Sequence, residues 1–267
     1  MRQFLFSFLL LLSFLSPIAS LAQDEPVLVP WQSEEGVIRL ERSGAKVDFF
    51  PLANHFESQE NKIYCGVASS AIILNALRLD KEADHLPQDQ QALPPEKRTY
   101  LPKGFDPIFK RYTQQNVITD AVKSESEILG KPMVIGEQTK ADYGLQLRQL
   151  AGLLSAHNLN VIIRVVSNDM PEDVIREELI KNMQAANDYV LVNYLRSALG
   201  QQGSGHISPL GAYDAVSDSF LILDVNPNTA PWVWVKTHDL VQAMRTFDAI
   251  ENRGYLLISD NPLSSAQ

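Results

Sequence analysis

Hydrophobic and polar positions follow two periods along this chain, mostly helical at first and mostly strand-like later. Residues 68–77 are almost continuously apolar, a pattern typical of a buried helix that begins near Cys65. Leucines recur at mostly helical spacing in residues 145–154, which indicates a second helix. Residues 171–187 begin with Pro-Glu-Asp and carry apolar residues on one side, which predicts an amphipathic helix. The sequence therefore predicts three main helices.

The later part of the chain contains most of the segments that are expected to form a sheet. Apolar runs of strand length occur at residues 160–166, 189–194, 206–212, 220–225, 232–235 and 255–258. One further helix is predicted at about residues 238–244, and residues 85–105, with many polar residues and prolines, are predicted to form a surface loop. Residues 23–44 show no clear period and are expected to be irregular. Helices followed by a sheet indicate an α+β fold.

The N-terminus has the pattern of a secretory signal. Arg2 precedes an apolar run at residues 4–15, and small residues ending in Ser20-Leu21-Ala22 follow it. The apolar run is short for a membrane span, which needs about 20 residues. We therefore expect a signal peptide at residues 1–22 and a single domain at residues 23–267. The mature protein would be exported, periplasmic or secreted, and would not span a membrane.

Charge and cysteine content narrow the function. The net charge of -9, without a cluster of Lys or Arg, argues against binding to nucleic acid. The chain has 1 cysteine, so no disulfide can form within it, and its 5 scattered histidines give no zinc site with regular ligand spacing. We therefore predict no metal site and no covalent cofactor in the protein. Cys65 is then either a buried inert thiol or the reactive group.

Cys65 lies directly before the predicted buried helix. The positive end of the helix dipole favours the thiolate, which is the form that attacks carbonyl carbons. Gln59 precedes Cys65 at the spacing where papain-like enzymes place a side-chain amide that donates to the oxyanion. Gly66 would let a substrate backbone approach the thiol. The alternatives are a small buried cysteine among apolar residues and a solvated loop glutamine.

His206 and Asp224 supply the other candidate catalytic groups. His206 follows Gly203-Ser204-Gly205 at the start of a predicted strand, where an imidazole is more often accessible than packed. It would take the thiol proton and later protonate the leaving amine. Asp224 ends another predicted strand, and its hydrogen bond would fix the imidazole tautomer. The alternatives are a satisfied histidine at a strand edge and an aspartate that opens a turn.

Several segments resemble the catalytic domain of phytochelatin synthases in content, order and spacing. They are Phe56-Glu57-Ser58-Gln59, Tyr64-Cys65-Gly66-Val67-Ala68-Ser69, Gly205-His206-Ile207-Ser208-Pro209, Leu223-Asp224-Val225 and Arg253-Gly254-Tyr255. The similarity covers about residues 49–259, and the chain most resembles short bacterial members that lack the Cys-rich C-terminal domain of the plant enzymes. It implies a papain-like fold, in which the nucleophile helix of an N-terminal helical part packs on a C-terminal antiparallel sheet.

The resemblance also implies roles and an activity. Cys65 would be the nucleophile, His206 the acid and base, Asp224 the orienting carboxylate and Gln59 the oxyanion donor. The implied activity is that of a glutathione γ-glutamylcysteinyltransferase. Such an enzyme attacks the Cys-Gly bond of glutathione, releases glycine, and passes the γ-glutamylcysteinyl thioester to a thiol peptide or to water. Cadmium or zinc would act as an activator, in the form of a glutathione thiolate complex.

Substrate contacts are expected around the same residues. Arg253 and Asp248 would bind the zwitterionic γ-glutamyl head, although an ordinary surface ion pair is the alternative. Gly66 and Gly205 are the other predicted substrate contacts. Relatives usually carry a basic-aromatic stretch where residues 226–229 stand here, so we expect hydrolysis to exceed chain extension. Arg196 would be either a positive contact for the acceptor or a solvated charge at a strand end.

Two other functions stay open at this point. The protein could be a papain-like cysteine peptidase that acts on another exported peptide, or a pseudoenzyme that binds thiol peptides or metal without turnover. Glycine release from glutathione distinguishes the first alternative, and the presence of all three catalytic residue types disfavours the second. The predicted partner is glutathione, and a homodimer is one option for assembly.

Overall fold

The computed structural model describes residues 28–79, 86–90 and 92–260. The predicted signal peptide at residues 1–22 lies outside the described residues. Within these ranges, no helix combines the length and the apolar character needed to cross a bilayer.

Along the described chain, helices predominate at first and strands later. The helices are α1 (Glu34–Arg42), α2 (Phe49–Asn54), α3 (Cys65–Arg78), α4 (Glu125–Ile128), α5 (Leu147–Ala156), α6 (Glu172–Met183) and α7 (Thr237–Met244). The strands are β1 (Leu28–Pro30), β2 (Met133–Ile135), β3 (Gln138–Lys140), β4 (Leu159–Val165), β5 (Asp188–Leu195), β6 (Gly205–Asp214), β7 (Ser219–Ile222), β8 (Val233–Lys236) and β9 (Gly254–Asp260). Short 3-10 helices occupy Pro95–Lys97 and Arg196–Leu199.

Seven strands form one antiparallel sheet in the order β1-β8-β7-β6-β5-β9-β4, and β2 pairs with β3 separately. Successive residues of a strand point to opposite faces. Accordingly, Tyr189 and Leu191 pack in one core with α3 and α5, whereas Val190 and Val192 pack in another core with α6 and α7. The predicted α+β class is confirmed, with helices on both faces of an antiparallel sheet.

Helix α3 is the predicted buried helix. Twelve of its fourteen residues are buried, as expected for a helix that is apolar on nearly every side. Its two serines satisfy their hydroxyl groups on backbone carbonyls: Ser70 Oγ donates to Gly66 O over 2.8 Å, and Ser69 Oγ donates to Ile207 O over 3.3 Å. The second bond holds the first turns of α3 against β6.

The expectation of an irregular lead-in is wrong for β1 and α1. Ser33 caps α1 by accepting a hydrogen bond from Gly36 N over 3.1 Å, and Glu34 and Glu35 favour the positive end of the helix. The buried positions of α1 are Gly36 and Arg39 rather than apolar side chains. The segment therefore lacked the apolar period by which a helix is detected.

The remaining predicted elements match the structure to within a few residues, apart from a strand β7 that ends earlier than expected. The described part of the predicted loop at residues 85–105 contains a short 3-10 helix and an isolated bridge between Gln88 and Lys110. In the sheet, Tyr194 of β5 pairs with His206 of β6, and Asn193 pairs with Gly254 of β9. The end of β5 and the starts of β6 and β9 therefore lie together at one end of these neighbouring strands. The candidate site lies at this end of the sheet.

Candidate active site

The structure brings the three candidate catalytic residues together from three elements. Cys65 is the first residue of α3, His206 lies near the start of β6, and Asp224 follows β7. His206 is hydrogen-bonded to Cys65, and its Nε2 donates to Asp224 Oδ1 over 2.9 Å. His206 is only 5% exposed, so the expectation of an accessible imidazole is wrong. The cause is its position in the interior between α3 and the neighbouring strand β5.

The pKa values of Cys65 and His206 are shifted in opposite directions. Burial by itself would raise the pKa of the Cys65 thiol, but hydrogen bonds from His206 and from the backbone of Ile207 and Gly66 lower it overall. Burial likewise would lower the pKa of His206, but its hydrogen bonds to Asp224 and Cys65 raise it overall. Both shifts favour a thiolate–imidazolium pair, which is the reactive form of a cysteine nucleophile.

Asp224 is fully buried and accepts hydrogen bonds from several donors. Besides His206, these are Arg196 Nη2 at 2.8 Å, Asn226 N at 2.8 Å and Tyr194 Oη at 3.3 Å. Burial would raise the pKa of Asp224, but the hydrogen bond and charge of His206 and the charge of Arg196 lower it overall. The carboxylate is therefore held in its ionised form.

Both expectations for Arg196 are wrong. Its side chain is neither solvated nor directed at an acceptor, because the residue is 3% exposed and its guanidinium forms an ion pair with Asp224 at 2.7 Å. Arg196 follows β5 directly, and only the pairing of β5 with β6 brings it to the residues after β7. No signal in the sequence by itself indicates this contact.

Gln59 is held in the loop before α3. Its backbone N–H donates to Val225 O over 2.8 Å, which ties this loop to the residue after Asp224. Its side-chain Nε2 donates to Asn61 O over 2.7 Å. An amide nitrogen carries two N–H groups, so one of them is left without a partner among the described residues. The oxyanion role of Gln59 stays a prediction.

A cavity of about 320 Å³ contains Cys65 and His206 in its wall, together with Arg253, Asp248 and Asn193. Arg253 Nη2 donates to Asp248 Oδ1 over 3.0 Å, and Asn193 Nδ2 donates to Asp248 Oδ2 over 3.2 Å. Arg253 is 6% exposed, so this pair is not an ordinary surface ion pair. Cys65 therefore faces the same cavity as a fixed pair of opposite charges.

The two glycines predicted to contact substrate have visible packing roles. A Cβ at Gly205 would lie 2.8 Å from Arg253 Nη2, so glycine here leaves room for the guanidinium. A Cβ at Gly66 would lie 3.3 Å from side-chain atoms of Ile207 and Leu145, which is tight packing. Contact of either glycine with substrate stays a prediction.

The histidines and acidic groups of the described residues do not cluster into a metal site. Across residues 28–79, 86–90 and 92–260, no group of three or more His, Cys, Asp or Glu could hold a metal ion. His157 is half-buried, with Nε2 2.7 Å from Val117 O and its ring against Tyr112. His85 lies outside the described residues.

Fold and site together define a protein in which a cysteine, a histidine and an aspartate form a hydrogen-bonded triad, and the cysteine begins a helix packed on an antiparallel sheet. The family model described as "Phytochelatin synthase" matches residues 21–255. The chain therefore belongs to the phytochelatin synthase family, as the resemblance in sequence predicted.

Three similar proteins illustrate the range of relatives. "Glutathione gamma-glutamylcysteinyltransferase 3" of Lotus japonicus is 28% identical over 88% of this chain and 43% of its own length. "Glutathione gamma-glutamylcysteinyltransferase" of Schizosaccharomyces pombe is 26% identical over 83% of this chain and 45% of its own. The chain thus spans less than half the length of these curated relatives. Xylellain, a cysteine protease from Xylella fastidiosa, aligns with a TM-score of 0.39 and 13% identity over 87% of this chain and 90% of its own.

Proposed function

We propose that this protein is a glutathione γ-glutamylcysteinyltransferase that cleaves the Cys-Gly bond of glutathione through a thioester on Cys65. The observation that carries the proposal is the shared cavity, in which a Cys65–His206 pair faces the fixed charges of Arg253 and Asp248. Its volume of about 320 Å³ is within the range of small-molecule sites. The names of the relatives agree with this substrate.

The triad accounts for both halves of the reaction. The Cys65 thiolate attacks the carbonyl carbon of the cysteinyl residue, and the His206 imidazolium gives its proton to the departing glycine nitrogen. The resulting thioester is then attacked by water or by the amine of a thiol peptide, while His206 takes the proton of the attacking group. The Cys65 thiolate leaves and the ion pair is restored. Asp224 holds the imidazole in place throughout.

Charge at the oxygen of the tetrahedral intermediate also needs stabilisation. The unused N–H of the Gln59 side chain and the N-terminal end of α3 are the donors that this loop offers. The hydrogen bond from Gln59 N to Val225 O holds this loop beside Asp224.

The γ-glutamyl head would be bound by the charged pair. Its α-carboxylate can accept from Arg253, whose Nε is buried and has no hydrogen-bond partner among the described residues. Its ammonium group can donate to Asp248, which otherwise receives only neutral and guanidinium donors. A zwitterionic head group needs one positive and one negative partner at this spacing, whereas an ordinary peptide segment needs neither.

We further propose that hydrolysis exceeds chain extension. Water needs no binding site, whereas a second thiol peptide does. Residues 226–230 form a turn in which the backbone N–H groups of Thr229 and Ala230 donate to Asn226 O, and this turn presents no cation for an acceptor.

The proposal also covers the metal, the compartment and the assembly. Cadmium or zinc would enter as a glutathione thiolate complex. The protein would act after export, and a homodimer is one option for its assembly.

The test is incubation of the purified protein with glutathione, with and without cadmium, followed by mass spectrometry of thiols and detection of glycine. Wild-type protein should release glycine, and Cys65→Ser protein should not, because a hydroxyl at this position lacks thiolate character. A folded wild-type protein that cleaves other peptides but not glutathione would support the peptidase alternative. Equal glycine release by both proteins would refute the mechanism.

A further inference from the structure

The carboxylate behind His206 is not an isolated charge. Arg196 contacts both oxygens of Asp224, with Nη2 2.8 Å from Oδ1 and 2.7 Å from Oδ2. Both side chains are buried, at 4% and 0% exposure, so solvent screens their attraction little. The remaining Nη1 donates to Gln201 Oε1 over 3.1 Å. The guanidinium is thus fixed between the triad and the loop that leads to His206.

We propose that Arg196 is a positioning residue that offsets the charge of Asp224, so that His206 contacts a nearly neutral acceptor rather than a bare carboxylate. The Asp224–Arg196 unit would then act on His206 as a side-chain amide would. The inference builds on the triad of the proposed function, but it does not depend on glutathione as the substrate.

The reason lies in the two proton transfers that His206 performs. A bare buried carboxylate at 2.9 Å would stabilise the imidazolium strongly, which would make it a poorer acid for the departing amine. An arginine on the far side of the carboxylate weakens this effect while leaving the hydrogen bond in place. The imidazole keeps its orientation and can still give up its proton.

Arg196 also fixes the loop from which His206 emerges. Its backbone N–H donates to Ser204 O over 3.1 Å, and Gln201 N donates to its carbonyl over 3.0 Å. A Cβ at Gly203 would lie 3.1 Å from Arg196 Cδ, so the arginine stem packs closely on this loop. One residue therefore links Asp224 to the backbone that precedes His206.

The other groups that face His206 do not replace this contribution. They are Cys65 from α3, Asp224 after β7 and Tyr194 from β5, whose ring lies edge-on to the imidazole at 5.7 Å. Burial raises the pKa of Tyr194 well above its ordinary value, so Tyr194 stays neutral. None of these three groups is a cation, whereas Arg196 brings a positive charge to Asp224.

The experiment compares Asp224→Asn with the double variant Asp224→Asn/Arg196→Gln. The single variant leaves Arg196 buried without a counter-charge, whereas the double variant removes both charges together. The readout is the rate of Cys65 alkylation by iodoacetamide at neutral pH, which does not require glutathione. We expect the single variant to react at least about tenfold more slowly than wild type and the double variant to recover most of the rate. A double variant no faster than Asp224→Asn would overturn the proposal.

A pH profile of alkylation gives an independent measurement. Arg196→Gln exposes His206 to the full charge of Asp224, so the imidazolium should lose its proton at a higher pH, by about one unit. Arg196→Lys should restore most of the wild-type profile, because it keeps the charge. Arg42→Gln is the control, since it removes an ion pair with the buried Asp214 at the other end of β6, and its profile should not move. An unmoved profile in folded Arg196→Gln protein would overturn the proposal.

Glycine release by the same proteins separates the hypothesis on the substrate from the hypothesis on Arg196. If wild type releases no glycine but the alkylation results hold, then the substrate assignment fails and the role of Arg196 stands. If Arg196→Gln does not fold, the comparison of Asp224→Asn with the double variant decides the question, because the double variant leaves no buried charge unpaired.

Discussion

Arg253 donates a hydrogen bond to Asp248 over 3.0 Å in the wall of the cavity that contains Cys65. The guanidinium is held further by two bonds from Nη1, to Thr246 Oγ1 at 3.1 Å and to Phe247 O at 2.6 Å. Its orientation is thus set before any ligand arrives. A fixed cation beside a carboxylate is suited to a zwitterionic head group, because neither group has to reorganise on binding.

Arg253→Ala should raise the KM for glutathione at least about tenfold, since a charge-assisted hydrogen bond contributes about 1.5–3 kcal/mol. Asp248→Ala should act in the same direction through loss of the ammonium contact. The measurement is the initial rate of glycine release against glutathione concentration. Arg148→Ala is the control, because it removes only the exposed ion pair with Glu251 and should leave KM unchanged. Unchanged KM in both cavity variants would place the head-group site elsewhere.

Cys65 should be alkylated at a lower pH than an ordinary thiol. Its pKa is lowered, so the thiolate persists at a pH where an ordinary thiol, with a pKa of about 8.5, is protonated. His206→Ala should move the alkylation profile to higher pH. It removes the hydrogen bond and the charge of His206, which lower the pKa of Cys65 against the effect of burial. Mass spectrometry with iodoacetamide gives the rates, and the sequence contains 1 cysteine, so the signal has one source. Superimposable profiles would show that His206 does not stabilise the thiolate.

The products of glutathione turnover should be mainly γ-glutamylcysteine and glycine. The turn at residues 226–230 offers no cation for an acceptor peptide, and water competes without a binding site. Two-unit phytochelatin should stay the minor product when cadmium is added. The ratio of the two thiols is to be followed over time at about millimolar glutathione, within the usual KM range of enzymes. An excess of the two-unit product from the start would contradict the hydrolytic bias and indicate an acceptor site.

Gly254→Ala should destabilise the fold strongly. Gly254 pairs with Val165 between β9 and β4, and a Cβ there would lie 1.9 Å from Arg164 O, a backbone atom that cannot move away cheaply. We expect a loss of more than about 2 kcal/mol in the free energy of unfolding, measured by urea denaturation. Gly44→Ala is the matched control, because no atom lies within 4 Å of the added Cβ. Equal stabilities of the two variants would argue against this strand register.

Asp48 should make the protein less stable as pH rises. Burial, and then the charge of Asp188, raise the pKa of Asp48 from 3.8 to about 9, and neither carboxyl oxygen has a partner among the described residues. The folded state thus keeps a proton that the unfolded state loses above about pH 4. The contribution of Asp48 to the free energy of unfolding is full below that pH, and it falls as the pH rises to about 9. Asp48→Asn should flatten this dependence in urea denaturation at several pH values. An equally steep decline in the variant would exclude Asp48 as its source.

The sequence by itself determined the features that depend on local pattern. The apolar run at residues 68–77 specifies a buried helix, and the structure places Cys65 at its first position. Most strands of the sheet were predicted to within a few residues, because period and turn residues are local properties. The segments around Cys65, His206 and Asp224 also sufficed to indicate the family that the match over residues 21–255 shows.

Tertiary structure decided which polar groups meet. Arg196 and Asp224 are 28 positions apart, and their contact depends on the register of β5, β6 and β7 rather than on either segment alone. Helix α1 was missed because it buries Gly36 and Arg39 rather than apolar side chains. Arg39 pairs with Glu35 on the same helix, and it also donates to Ser219, which is 180 positions away. A periodic pattern indicates which face of an element is buried, whereas the partner of a buried charge such as Asp224 comes from a segment that is distant in sequence. The local sequence therefore specified Cys65 and the helix that it begins, and the sheet specified the electrostatic environment around them.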